Sequence, residues 1–319
     1  VWDSNLEYNI LVYSPDGRKL VNYSAYKGYL GIKKVCWSKR GHFLAVGSFD
    51  QKLRLINNLT WSKVCELTHE SPITQPQVVI YEEKEEDWEE DEGDSTRTER
   101  KRLRSWRRDQ HVELKGPTKY VVAQAPVEVP ETRIDPKSAQ LPRMGIGLME
   151  WSKKDKFIFT RNDNMPQSLW LWNVKTLSLS AIIKHDNSIR CAKWDPRRQR
   201  LMLCTGKGKL YMWSPEGCSI INVPLRDFRV RSLRWNPDGG SLMLMDKNVF
   251  CCVWVNDGEG EEENPELDDQ EEHEDADDEH DHKGHNAEEG IDGKPQNGQE
   301  EGNDDMGENI SLQRAGEAH

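Results

Sequence analysis

The sequence predicts an all-β fold assembled from a repeated four-stranded unit, and three observations carry that prediction. Tryptophan recurs with a fixed period: Trp172, Trp213 and Trp254 lie 41 residues apart, and Trp151, Trp194 and Trp235 follow one another at 43 and 41. Between them stand short runs of Val, Ile, Leu, Met and Cys, none long enough to support a helix. Turn residues punctuate those runs, as in "DPRRQ", "GKG" and "SPEG".

Taken in order, "IRCAKWDPRRQRLMLCTGKGKLYMWSPEGCSIINV" is strand, turn, strand, glycine turn, strand, turn, strand. Four short strands per period of about 40 residues mark a WD40-type β-propeller blade. Blades are expected at roughly 32–69, 145–187, 189–226 and 228–256. In the first of these Ile56 takes the place of the second tryptophan, 19 residues after Trp37, and Ser48 and Asp50 supply the small residue and turn aspartate between the second and third strands. Trp2 and Asp3 read as the end of a third strand, with "YNILVYSPDGRKLVNY" completing that blade as a hairpin. The expectation is a partial propeller of about four and a half blades, its opening strands lying before Val1.

Two segments break the period, dividing the chain into propeller at 1–69, an insertion at 70–143, propeller again at 144–256 and a tail at 257–319. Ile56 and Trp151 are 95 residues apart where later blades use 22. The insertion begins acidic, "EEKEEDWEEDEGD", and turns basic, "RTERKRLRSWRR". Such charge blocks bury too little apolar surface to offset chain entropy, so a mostly disordered excursion is expected, with "KYVVAQAPVEV" docking locally. The tail holds 25 acidic and 3 basic residues and is likewise expected to be disordered. It accounts for the net charge of −12, since the other 256 residues carry 41 basic and 31 acidic side chains. Such a tail solvates, and it can shield a basic surface.

No catalytic or cofactor constellation is expected. "CTGKGKLY" lacks the spacing of a phosphate loop and the helix behind it. His69 and His185 each close a blade and are assigned to buried hydrogen-bond chains. The tail histidines His273, His280, His282 and His285 lie among carboxylates without the geometry of a closed metal site. The seven cysteines form no C-x-x-C pair and read as reduced apolar fillers. No apolar run approaches a membrane span. The repeat tryptophans Trp172, Trp213 and Trp254, with Trp2, Asp3, Ser48 and Asp50, are structural blade residues. Partner contacts are expected in the insertion, at Trp88 and Trp106 and at the cations Arg102, Arg104, Arg107 and Arg108, since an aromatic among charges can anchor a segment that orders on binding. An acidic protein partner is favoured over nucleic acid, whose phosphates the flanking carboxylates would repel.

"LGIKKVCWS", "LAVGSFDQKLRLINNLTW", "MGIGLMEWS" and "TRNDNMPQSLWLW" resemble the centrosomal and spindle-pole WD-repeat family, WD-repeat protein eight, over roughly residues 1–256. The resemblance implies a non-enzymatic scaffold in the cytoplasm and cytoskeleton, at the centrosome or spindle pole. Implied partners are a coiled-coil centrosomal protein, with a minus-end kinesin or tubulin beside it, in a complex that anchors microtubule minus ends. The alternative is a nuclear adaptor, either a substrate receptor or an RNA-processing platform, that uses the basic run as a localisation signal.

Overall fold

The computed structural model describes residues 2–4, 6–85, 118–133, 140–255 and 310–314. The chain divides into two units, residues 1–254 with 312–319, and residues 255–311. Every named element among the described residues is a β-strand. Strands β1 (Trp2–Ser4), β2 (Glu7–Tyr13) and β3 (Lys19–Tyr23) form the first sheet; β4 (Ile32–Trp37), β5 (Phe43–Ser48), β6 (Lys52–Asn57) and β7 (Lys63–Thr68) form the second. The third joins β10 (Ile146–Trp151), β11 (Phe157–Asn162), β12 (Ser168–Asn173) and β13 (Ser178–Lys184) to β8 (Val79–Glu85) and β9 (Thr118–Ala123), in the order β10-β11-β12-β13-β8-β9. The fourth runs β14 (Cys191–Trp194), β15 (Leu201–Cys204), β16 (Lys209–Ser214), β17 (Gly217–Asn222). The fifth runs β18 (Ser232–Trp235), β19 (Ser241–Met245), β20 (Phe250–Val255), β21 (Ile310–Arg314).

Consecutive strands β1–β3, β4–β7, β10–β13, β14–β17 and β18–β20 pair antiparallel as meanders, and the core lies between neighbouring sheets rather than within one. Leu53, Leu55 and Ile80 pack with Ile146, Trp151, Trp170 and Trp172 between the second and third sheets. Phe159, Leu169 and Leu171 meet Trp194, Leu201, Tyr211 and Trp213 between the third and fourth. A strand covered on both faces must be apolar at nearly every position, which is why "SLWLW" of β12 is buried throughout rather than alternating. Gly145 (φ +83°) lets the chain enter β10 against the second sheet, where a Cβ would stand 2.5 Å from the Ser48 carbonyl oxygen.

The tryptophan period reappears as a repeated bond between sheets. Trp151 Nε1 donates to the Cys36 carbonyl (3.1 Å), Trp194 Nε1 to Glu150 (3.0 Å) and Trp235 Nε1 to Lys193 (3.3 Å). The acceptor is always the residue just before the neighbouring sheet's own first-strand tryptophan.

Four expectations are corrected. Trp2 and Asp3 do not end a third strand. Since β2 and β3 occupy the places that β6 and β7 hold in the next sheet, β1 corresponds to the second strand, β5. The W-D pair misled because the strand that holds it, β1, is followed at once by β2, with only Asn5 and Leu6 between them. Secondly, the insertion is not disordered at its first flank, while at the second all of β9 but Thr118 falls in the "KYVVAQAPVEV" stretch expected to dock. Val79–Glu82 pair in parallel with Ala181–Lys184, and β9 returns antiparallel from Thr118 opposite Glu85 to Ala123 opposite Ile80. The β-branched run "VVIY" finds a free edge on β13, and that outweighs the carboxylates behind it. Thirdly, the tail contains β21 beside β20. Lastly, not every repeat tryptophan is core: Trp37 and Trp254 are 48% and 42% exposed. The first sheet has no fourth strand among the described residues to cover Trp37, and no described sheet follows the fifth over Trp254.

Candidate functional site

Two surfaces and three buried polar clusters define what the fold offers. The first surface is the tip of the β8–β9 ribbon. Glu85 and Thr118 are paired, so the 32 residues between them leave and return at one point. Trp88, Arg102, Arg104, Trp106, Arg107 and Arg108 belong to those 32 residues and lie outside the described ones. The structure therefore fixes where that segment is attached.

The ribbon is pinned by Glu83, whose side chain is 5% exposed. Its carboxylate accepts from His185 Nδ1 (3.0 Å) and from the Tyr211 hydroxyl (2.7 Å). With Nδ1 donating, His185 Nε2 is the acceptor for the Tyr120 hydroxyl at 3.2 Å. Burial alone would raise the Glu83 pKa, but the bonds from His185 and Tyr211 outweigh it and hold the carboxyl at about 2. Glu82 pairs with Lys184 at 2.9 Å. Because Tyr211 stands on β16 and His185 follows β13, one insertion carboxylate ties the third sheet to the fourth.

His69 plays the structural part expected of it. Trp172 Nε1 donates to Thr160 Oγ1 (2.8 Å), the Thr160 hydroxyl donates to His69 Nε2 (2.7 Å), and His69 Nδ1 donates to the Gln51 carbonyl (3.0 Å). Burial pushes the His69 pKa down to about 3, so the ring is neutral and one tautomer satisfies the whole chain. Trp213 is buried like Trp172, but His185, which follows the last strand of the preceding meander as His69 does, is taken up by Glu83 instead.

Ser48 and Asp50 stand where expected, at the end of β5 and in the turn after it, and they cage a cation that sequence reasoning missed. Arg54, 4% exposed, donates Nη1 to Ser48 Oγ (2.9 Å), Nη2 to Asp50 (2.6 Å) and Nε to Glu66 (2.9 Å). Its guanidinium lies over the Tyr8 ring at 5.2 Å, joining the first sheet to the second. Only the spacing Ser-x-Asp-x-x-x-Arg could have signalled it.

The second surface is the face onto which the β4–β5 and β6–β7 turns open. Trp37 packs edge-on against Trp61 with ring centroids 6.0 Å apart, and Leu59 beside them is 83% exposed. The Asn58 amide donates to the His42 carbonyl at 3.0 Å, which holds the two turns together. Exposed aromatics in a rigid setting suit protein docking. Burial raises the Cys204 thiol to about 12, and no group of three metal-ligating side chains occurs among the described residues. No helix among them is long and apolar enough to cross a membrane.

Repeated four-stranded sheets, an inter-sheet tryptophan bond and a His-Thr-Trp chain together define an all-β protein of the WD40-repeat, propeller type. Residues 17–57, from the turn before β3 to the end of β6, match the family model "WD domain, G-beta repeat". The mouse (Mus musculus) WD repeat-containing protein WRAP73 is 38% identical to this chain over 222 residues, covering 66% of the chain and 44% of the mouse protein. The chain thus spans less than half the length of that curated relative. A chain in the crystal structure of the mitotic checkpoint complex is similar at 16% identity and a TM-score of 0.28, over 76% of this chain and 82% of that one. At that score the likeness carries no weight.

Proposed function

We propose that this chain is a non-catalytic docking scaffold at the centrosome or spindle pole, acting in a complex with a coiled-coil protein that anchors microtubule minus ends. The ribbon carries the reading. A catalytic platform has no need to display a 32-residue segment rich in charge, with two tryptophans, from one pinned point on a sheet, whereas a docking scaffold does. The 38% identity to a WD repeat-containing protein supports the scaffold class, and the cellular setting rests on the resemblance to the spindle-pole family alone.

The test is proximity labelling in dividing cells. One arm expresses the full-length protein, the other a version with residues 86–117 replaced by a short Gly-Asn turn. Labelling of a coiled-coil pole component by the first and not the second is expected. Nuclear labelling of RNA-processing or ubiquitin-ligase components by both would overturn the reading in favour of the nuclear adaptor.

A further inference from the structure

The turn after each first-strand tryptophan opens onto one face, and in three successive sheets it carries a pair of basic residues. The pairs are Lys39 and Arg40 after Trp37, Lys153 and Lys154 after Trp151, and Arg197 and Arg198 after Trp194, and all six side chains are exposed. These turns are continuous with one another. The Asp155 carboxylate of the second accepts from the Lys39 and Arg40 amides of the first at 2.6 and 2.8 Å. Lys153 Nζ of the second donates to the Arg197 carbonyl of the third at 3.4 Å.

In the third of these turns the carboxylate is turned inward while the cations face outward. Asp195 is 1% exposed, accepts from the Arg197 and Arg198 amides at 2.7 and 3.2 Å, and pairs with Arg200. In the fifth sheet the sequence changes sign. There Asp238 replaces a cation and binds the Gly240 amide at 2.8 Å, in a turn that packs on Arg197: a Cβ on Gly239 would lie 3.0 Å from Arg197 Cγ. The cationic stretch is therefore an arc with two ends, Trp37 and Trp61 at one and Asp238 at the other.

We propose that this arc is a docking site for an acidic peptide segment of a partner protein. Carboxylate side chains on a flexible peptide suit Arg and Lys side chains presented from fixed turns, and Arg can grip them bidentately. Nucleic acid fits less well. Phosphate sites draw on backbone N–H donors, and here the amides of Lys39, Arg40, Arg197 and Arg198 are already taken by Asp155 and Asp195.

The test titrates a fluorescent twenty-residue polyglutamate peptide, and separately an oligonucleotide of equal length, into the full chain. Variants reverse one pair at a time: Lys39→Glu with Arg40→Glu, Lys153→Glu with Lys154→Glu, Arg197→Glu with Arg198→Glu. A control reverses Lys27 and Lys207, two exposed cations outside these turns. Each pair reversal is expected to weaken peptide binding roughly tenfold, with unchanged melting midpoint, while the control keeps at least half of the wild-type affinity. Raising salt from about 0.1 M to 1 M should abolish most of the difference. Carbodiimide coupling on the native chain supplies a second readout, with peptide adducts expected on Lys39, Lys153 or Lys154. The proposal is overturned if the pair reversals bind like wild type, if only the control loses affinity, if the oligonucleotide binds the arc more tightly than the peptide, or if no adduct maps to those lysines.

Discussion

Replacing Thr160 by Val removes one hydroxyl and keeps the shape of the side chain. In the native fold that hydroxyl accepts from Trp172 Nε1 at 2.8 Å and donates to His69 Nε2 at 2.7 Å, with Thr160 fully buried. The variant leaves an indole N–H and an imidazole nitrogen without partners where water does not reach. Each orphaned buried group costs about 1–3 kcal/mol, so the expected loss is about 2–4 kcal/mol after relaxation. For a domain of this size that corresponds to a fall of roughly 5–15 °C in Tm. Urea unfolding followed by tryptophan fluorescence reads the change, and an unchanged m-value shows that the two end states are intact. Trp172→Phe deletes the donor, so in the Thr160→Val background it should cost about 1 kcal/mol less than it does alone. A Thr160→Val chain within about 0.5 kcal/mol of wild type, a shift typical of an inconsequential surface change, would refute the assignment of this chain as a support of the fold.

Acid should destabilise the protein first through His69. Its folded pKa of about 3 lies below the ordinary 6.5, so the unfolded state binds the proton first and this contribution, full above 6.5, drains away as pH falls toward 3. The slope from this one group approaches about 1.4 kcal/mol per pH unit, and urea midpoints between pH 6.5 and 5 should show it flattened in His69→Leu. Glu83, held at about 2 against 4.5, adds a loss of the same sign only below 4.5 and does not interfere in that window. Glu83→Gln, which takes the charge off the acceptor of the His185 and Tyr211 bonds, should cost about 2–4 kcal/mol in the same urea titration, and limited proteolysis should then cut between Thr118 and Arg133 sooner than in wild type. Trp37→Ala should cost under about 1 kcal/mol because Trp37 is half exposed, whereas Trp151→Ala, at a fully buried site, should cost about 3–5 kcal/mol.

The repeat was legible because its cause is local and periodic. A strand covered on both faces must be apolar throughout, and the bond from each first-strand tryptophan to the neighbouring sheet fixes one indole per unit. Features that depend on which edge or neighbour is free were not legible. "VVIY" is a strand only because β13 offers an edge, and the acidic run after it hid that. Trp37 carries the same local signature as Trp151, and only the three-stranded first sheet makes it a surface residue. Arg54 looks in sequence like any strand cation on a wet face. The cage of Ser48, Asp50 and Glu66 closes only when β5, β6 and β7 stand side by side. The basic pairs were visible one by one, but their alignment needed the register of three sheets.

That register also says where the two cationic features stand relative to each other. The strand β10 ends at the turn bearing Lys153 and Lys154, and each later strand of its meander reverses direction, so β13 ends at the opposite edge of the sheet. The strand β8 runs parallel to β13, which carries Glu85 and its partner Thr118 to that same opposite edge. The arc of basic turns and the root of the charged excursion therefore stand at opposite ends of the strands of one sheet. A short ligand seated on the arc leaves the ribbon tip untouched. Losses from arc variants and from replacement of residues 86–117 should accordingly add, as they do for sites that share no partner. A scaffold needs this property: two partners held at once on a body that the buried chains of His69, Glu83 and Arg54 keep rigid between them.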